Sequence, residues 1–389
     1  LEKGFLTLIY LDNAATTWPK PTSVVTEMAR FMEECGSSPG RGGHRLARKS
    51  RKLVEETRAA LSRLFHTEAP EDIWFCLNGT HAINQVCKGW LRPGDHVLTS
   101  SWEHHAVARP LAMLQHEIGI KVTHVPPTSS GLIDMDAMEK AITPDTNLIA
   151  MTHASNVTGA ILPIEEVGEI ARHFGIPLLV DAAQTAGRIP IDVQALPIDF
   201  LTFPGHKGLF GPQGTGGLYV RPGISLSPLL QGGTGNRSEE LTPLNERPYS
   251  YESGTQNAPG IVGWRAGLRF LEEKGVEAIH QKELDLIARV RTRLQDLDGV
   301  NLYLPPSQNV AILSFNMDGV ASEEIATVLD QEYDIAVRSG FHCAPIAHQS
   351  NGTGMNGTVR VSPGYFTTDK EIDAFIQAIE EIHREFAGW

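Results

Sequence analysis

Residues 199–220 read DFLTFPGHKGLFGPQGTGGLYV: an apolar run, a glycine-rich loop carrying one lysine, and a second apolar run. Apolar stretches this short, bounded by Gly and Pro, read as buried strands. The loop between them decides what kind of α/β fold this is. A nucleotide-binding P-loop follows the pattern GxxxxGK and then Ser or Thr. Here Gly208 follows Lys207, and the stretch GPQGTGG lies after the lysine instead of before it. The nucleotide reading is weak. Lys207 is left with two readings. It is a turn residue facing solvent, or it bonds covalently to a carbonyl cofactor, which also needs an acid and a seat for a phosphate.

Outward from this loop, helix-like and strand-like segments alternate. Helical patterns cover 21–34, 45–65, 81–90, 106–118 and 163–174, the last with Ile164, Val167, Ile170, Ala171 and Phe174 at helical spacing. Between them stand DIWFC (72–76), HVLTS (96–100), NLIAMTH (147–153) and IPLLVDAA (176–183). Nearly continuous apolar strands alternating with helices imply a mostly parallel sheet covered on both faces. Asn156, Asp181 and Lys207 each follow such a run, at the strand ends where α/β sheets bind ligands. After 256 the pattern changes: helical stretches at 257–274 and 276–297, then NVAILSFN (309–316), a helix at 321–331, DIAVRSG, TVRVS and a helix at 368–386. We read residues 16–256 as a large domain, and 1–15 with 257–389 as a smaller α+β domain.

Composition narrows the class. The 389 residues are 41% apolar and 20% charged, with a formal charge of −13. That charge argues against nucleic acid and acidic membranes, which need clustered Lys and Arg. No run approaches the roughly 20 apolar residues of a membrane span, and the N-terminus shows no secretory pattern. Four cysteines without a CxxC pair suit neither a zinc ribbon nor a disulfide framework, so a soluble cytoplasmic protein is expected.

Several residues have chemistry to offer. Asp181, after four apolar residues, is either an N-cap or ion-pair carboxylate, or the partner of a protonated ring nitrogen. In LNGTHAIN (77–84), Gly79 and Thr80 open a helical pattern, so their backbone N–H groups bind an anion unless Thr80 is simply the cap. His206 adds a donor there. The adjacent His104 and His105 lack zinc spacing, and metal is not expected. Cys343, with Arg338 and His342 nearby, has surroundings that favour thiolate. Cys76 and Cys87 read as packing residues, and Cys35 as a surface thiol at a helix end.

Nine motifs then fall in one order: YLDNAATT (10–17), NGTHAIN (78–84), EHH (103–105), SNVTG (155–159), DAAQ (181–184), GHK (205–207), YESGTQN (251–257), RSGFHCAP (338–345) and GTVRVSPGYFTT (357–368). Together they resemble the cysteine desulfurase and selenocysteine lyase branch of the class V aminotransferases, pyridoxal-phosphate enzymes of fold type I. The short segment between Cys343 and Arg360 is similar to the group II (SufS-like) members more than to the IscS-like ones. The resemblance implies a large domain with a mostly parallel seven-stranded sheet sandwiched by helices, plus a smaller α+β domain. It implies that Lys207 anchors pyridoxal 5'-phosphate and shuttles the Cα proton, that Asp181 pairs with the ring nitrogen and that His104 stacks on the ring. Asn156 and Gln184 would reach the ring hydroxyl. Gly79, Thr80 and His206 would hold the phosphate, with Thr255 supplied by a second subunit of a homodimer. Arg360 would clamp the substrate carboxylate, and Cys343 would accept sulfur from L-cysteine as a persulfide, leaving L-alanine, before passing it to an acceptor protein. Three positions depart from the pattern: Pro204 replaces Ser or Thr, His81 a second threonine, and Phe341 a histidine. The alternatives are a cysteine or cystine C–S lyase, a selenocysteine lyase, and, in another class, a non-catalytic partner protein that retains the fold.

Overall fold

The structure is a computed structural model and describes residues 8–40, 42–128, 132–234, 241, 246–304 and 309–386. Among these residues the central sheet has seven strands. Their spatial order is Ile73–Cys76, Gly216–Val220, Phe200–Pro204, Leu178–Asp181, Thr146–Thr152, His96–Ser100 and Lys121–Val125. Gly216–Val220 runs antiparallel to both neighbours, and the other pairings are parallel. The quoted loop explains the exception, since it returns the chain directly beside the strand it left. Gly214 takes a φ of +77° in that return, and Gly205 leaves no room for a side chain because a Cβ there would lie 2.2 Å from Thr215 Oγ1.

Alternation along each strand divides the core into two layers. Leu178, Val180, Leu201 and Phe203 face one layer with Phe65 and Trp264, while Leu179 and Phe200 face the other with Val86, Leu111 and Trp74. Helices Arg45–Phe65 and Ala258–Lys274 cover the first face, and Gly79–Trp90 and His105–Ile118 the second.

A separate core lies in the C-terminal third. It joins helices Val276–Gln295, Ser322–Tyr333 and Asp369–Phe386 to a three-stranded antiparallel sheet of Val359–Val361, Leu313–Met317 and Val300–Tyr303. Leu11 is buried in this core, and Ile9–Tyr10 pairs in parallel with Ile335–Ala336. The boundary expected after residue 256 falls just before helix Ala258–Lys274, whose Ile261, Val262, Trp264 and Leu268 are buried in the first core. The two cores part within the next helix, Val276–Gln295, which puts Ile279 in the first core and Leu286, Ile287, Val290 and Leu294 in the second. Residues 1–7 of the expected N-terminal piece lie outside the described residues.

One buried ion pair ties the YESGTQN loop to the large body. Arg58 Nη1 and Nη2 donate to Glu252 Oε1 and Oε2 at 2.6 and 2.9 Å, and Glu252 Oε1 also accepts from Phe75 N at 2.6 Å. Arg58 is 1% exposed and Glu252 9%. Breaking such a pair strands a charge, a loss of about 3–5 kcal/mol. Arg58→Met will lower the urea midpoint accordingly, and adding Glu252→Gln will recover part of the loss. A midpoint unchanged in the single variant would refute this role.

Candidate active site

A cavity of about 210 Å³ opens at the carboxyl ends of the parallel strands. Lys207, Asp181, His104, Asn156 and Gln184 line it, with Gly79, Thr80 and His206 at one end. The solvent-facing alternative for Lys207 is not realised. Its amine is pushed down to about 8, chiefly by burial, while Asp181 opposes the shift. The loop that presents it is held by the chain's beginning: the His206 carbonyl accepts from Lys20 Nζ at 2.6 Å, Thr17 N at 3.1 Å and Thr16 Oγ1 at 3.2 Å.

Asp181 ends its strand, and its Oδ1 accepts from Ala183 N at 2.9 Å. Burial raises its carboxyl pKa, and no ion pair holds it among the described residues. A buried carboxylate so placed favours a cation delivered into the cavity. His104 caps helix His105–Ile118, with Nδ1 accepting from Ala106 N at 3.0 Å. That acceptor role puts the remaining ring proton on Nε2. Burial pushes His104 down to about 3, and Lys207 adds to the shift, so the ring is neutral.

At the other end, helix Gly79–Trp90 begins with Asn78 as its cap, whose Oδ1 accepts from His81 N at 2.8 Å. Thr80 is therefore not the cap, and the first-turn amides at Gly79 and Thr80 have no carbonyl within the helix to serve. His81 turns its Nδ1 back to accept from Leu77 N at 3.1 Å, away from the cavity wall. Pro204 stands across from the helix start, 3.6 Å from where a Cβ on Gly79 would lie, and brings an apolar ring where a hydroxyl was expected. His206 is pushed down to about 4 by burial and by Lys207, and its Nδ1 shares a 3.0 Å hydrogen bond with Thr16 Oγ1.

These residues fit pyridoxal phosphate. Free amides at a helix N-terminus suit its phosphate. A buried, unpaired carboxylate suits a protonated ring nitrogen. Gln184 donates Nε2 to Ala14 O at 3.1 Å, and its Oε1 is buried without a partner, free to accept from a ring hydroxyl.

Cys343 lies outside this cavity, in an adjoining groove of about 380 Å³ that shares Thr80 and His104 with it. His342 and Cys343 hold φ values of 48° and 59°, left-handed geometry that non-glycine residues adopt only when surrounded by fixing contacts. Those contacts are present. Asn156 Nδ2 donates to His342 O at 2.7 Å, and His105 N donates to Cys343 O at 2.7 Å. Arg338 Nη2 reaches Cys343 Sγ at 3.4 Å.

Arg360 is fully buried and does not line the cavity. It donates to Asp12 Oδ1 at 2.7 Å and to Asn156 O at 2.9 Å, and its Nε has no partner. The arginine on the cavity wall is Arg338, its neighbour across an antiparallel bridge. Sequence reasoning placed Arg338 only beside the thiol and missed Asp12 altogether. The signal for Asp12 was its position in YLDNAATT. Thr255 is exposed on a separate groove with Arg58 and Glu252, and Phe341 is 43% exposed. Cys35, expected at the surface, is buried at its helix end, where its thiol meets Leu46 O at 3.4 Å. Burial raises the thiols of Cys76 and Cys87. Among the described residues no cluster suits a metal, and no helix is long and apolar enough to cross a membrane.

A mostly parallel α/β sheet with a buried lysine, a buried carboxylate and a helix-end anion seat at its strand ends defines a class of cofactor-dependent enzymes. Residues 9–375 match the family Aminotransferase class-V, and the chain belongs to that family. It is 35% identical over 386 residues to a probable cysteine desulfurase of Xylella fastidiosa, covering 97% of this chain and 91% of that one. Identity is again 35% over 380 residues to a probable cysteine desulfurase of Methanothermobacter thermautotrophicus, covering 96% and 94%. Among solved structures, the apo cysteine desulfurase of Thermococcus onnurineus superposes with a TM-score of 0.91 at 34% identity, covering 97% of this chain and 95% of that one. The cysteine desulfurase CsdA of Escherichia coli follows the same fold with a TM-score of 0.88 at 30% identity, covering 98% and 95%.

Proposed function

We propose that the protein is a pyridoxal-phosphate-dependent cysteine desulfurase of the group II kind, converting L-cysteine to L-alanine and retaining the sulfur on Cys343. The observation that carries this reading is the thiol of Cys343, held in the groove that adjoins the cavity lined by Lys207, Asp181 and His104. The similarity to cysteine desulfurases over nearly the whole chain supports it.

Lys207 would hold the cofactor covalently, Asp181 its ring nitrogen, Gln184 and Asn156 its hydroxyl, and Gly79, Thr80 and His206 its phosphate. Thr255 of a second copy would complete that phosphate seat in a homodimer. When bound, pyridoxal phosphate supplies an electron sink beside the substrate Cα. Around it, the Lys207 amine takes the Cα proton and returns it. Asp181 would keep the ring nitrogen protonated, and neutral His104 would cover the ring without adding charge. Arg360, freed from Asp12, and Arg338 receive the substrate carboxylate, since a guanidinium matches it in two-pronged geometry. Cys343 Sγ then attacks the substrate sulfur. The S–S bond forms as the C–S bond breaks, the bond's electrons stay with the carbon skeleton, and protonation gives alanine. We place this chemistry in the cytoplasm.

The test is incubation of the purified protein with L-cysteine, quantifying alanine, pyruvate and sulfide. Alanine should match the sulfur mobilised, and sulfide should appear only with a reductant. Pyruvate and ammonia in place of alanine would make the protein a C–S lyase instead.

A further inference from the structure

The turn that carries Cys343 is built from the wrong residues for its shape. Ala344 N donates to Phe341 O at 2.9 Å and closes it around His342 and Cys343, whose φ values are both positive. Two positive φ values at the centre are the pattern of mirror-image turns, where Gly, Asn and Asp are usual. Other side chains keep that shape only while their surroundings fix them. Asn156 and His105 fix the carbonyls of the turn. Its side chains are fixed by a second histidine.

His348 is 0% exposed on the short helix Pro345–Ser350. Its ring centre lies 5.6 Å from that of Phe341, nearly perpendicular to it, and 5.4 Å from that of His342. Both residues ahead of the thiol therefore rest on one buried ring. That ring is tethered in turn. Its Nδ1 shares a 2.8 Å hydrogen bond with Thr353 Oγ1, and Thr353 N donates to His348 O at 2.9 Å. His342 has a further hold, a 2.9 Å bond between Nε2 and the buried Thr358 Oγ1. Burial pushes His342 down to about 2 and His348 to about 4, so the two rings pack uncharged. His348 lines neither the cavity nor the groove beside it, so whatever it does to the reaction passes through the turn.

We propose that His348 is a positioning residue for Cys343: its ring carries the side chains of Phe341 and His342 and so sets where the thiol stands beside the cavity. The inference rests on the desulfurase reading above and adds a residue to it. It also gives Phe341 a role, as an apolar edge laid against a buried imidazole.

The experiment compares full-length holoenzyme with His348→Ala, His348→Phe and Thr353→Val. A misplaced nucleophile slows the step it performs, so His348→Ala should release alanine from L-cysteine about a hundredfold more slowly in a single turnover. The L-cysteine concentration that half-saturates the cofactor's absorbance change should stay at the parent value, because no residue proposed to bind substrate is altered. His348→Phe keeps a ring under Phe341 and His342 and should recover most of the rate. A second readout needs no turnover. His105 opens its helix, so its amide has no carbonyl within the helix and is protected by Cys343 O. Hydrogen exchange at His105, followed by mass spectrometry, should quicken about tenfold in His348→Ala and little in His348→Phe. Should His348→Ala not fold, Thr353→Val decides, since it removes the tether and keeps the ring: exchange should quicken and alanine release should slow severalfold together. A folded His348→Ala with parental alanine release and parental exchange at His105, or a Thr353→Val variant with both unchanged, would overturn the proposal. So would a variant that loses only thermal stability. No alanine from the parent protein would instead overturn the desulfurase reading, whatever the exchange at His105 shows.

Discussion

Cys343→Ser will abolish sulfur transfer from L-cysteine, lowering alanine formation by roughly a thousandfold, about 4 kcal/mol of barrier. The substitution changes one atom. The contacts that hold the loop in its left-handed turn are backbone bonds to His105 and Asn156, which serine leaves intact. Loss of activity will therefore come from the missing nucleophile and not from a collapsed loop. A hydroxyl cannot take the substrate sulfur and leave as a stable anion at neutral pH, so splitting C–S cleavage into two easier steps is lost. Thermal unfolding and cofactor absorbance should match the parent protein. Alanine production undiminished in this variant would defeat the persulfide mechanism.

Lys207→Ala will abolish the yellow colour of the lysine-linked cofactor and lower turnover by at least about a thousandfold, because anchor and proton carrier vanish together. Borohydride treatment should fix the cofactor to the parent protein and leave it dialysable from the variant. An amine pushed down to about 8 carries a further consequence. Below that value the ammonium form predominates and cannot attack an aldehyde. The rate of linkage to cofactor-free protein should therefore rise about tenfold per pH unit and level off above about 8. An ordinary lysine would keep rising past pH 10. A profile of that ordinary kind, or a variant that keeps the reduced cofactor bound after borohydride and dialysis, would remove Lys207 from the role.

Much of this architecture could be read from the chain because the inner strands are apolar on both faces. Runs such as LLVD and DFLTF announce themselves, and the helices between them carry one buried stripe each. The edge strand Lys121–Val125 did not. Its Lys121 and His124 are exposed and its core contact is confined to one side, so no apolar run marks it. The strand Val300–Tyr303, at the edge of the smaller sheet, was missed for the same reason. Helix Ala258–Lys274, read with the smaller domain, packs in the first core, since an apolar stripe shows that a face is buried, not what it is buried against. At the site, residues that follow strands were legible, since strand ends converge. Which of Arg338 and Arg360 faces the cavity was not, because the two are neighbours across a bridge and differ only in which way each side chain turns.

The first described stretch of the chain has a mechanical meaning. Tyr10 pairs with Ala336 in the smaller body, Asp12 grips Arg360, the Ala14 carbonyl takes Gln184, and Lys20 holds the peptide next to Lys207. A rotation of one body against the other would pull this strap from both ends. Arg360 and Lys207, which we propose receive the substrate and move its proton, are therefore held by one stretch of chain.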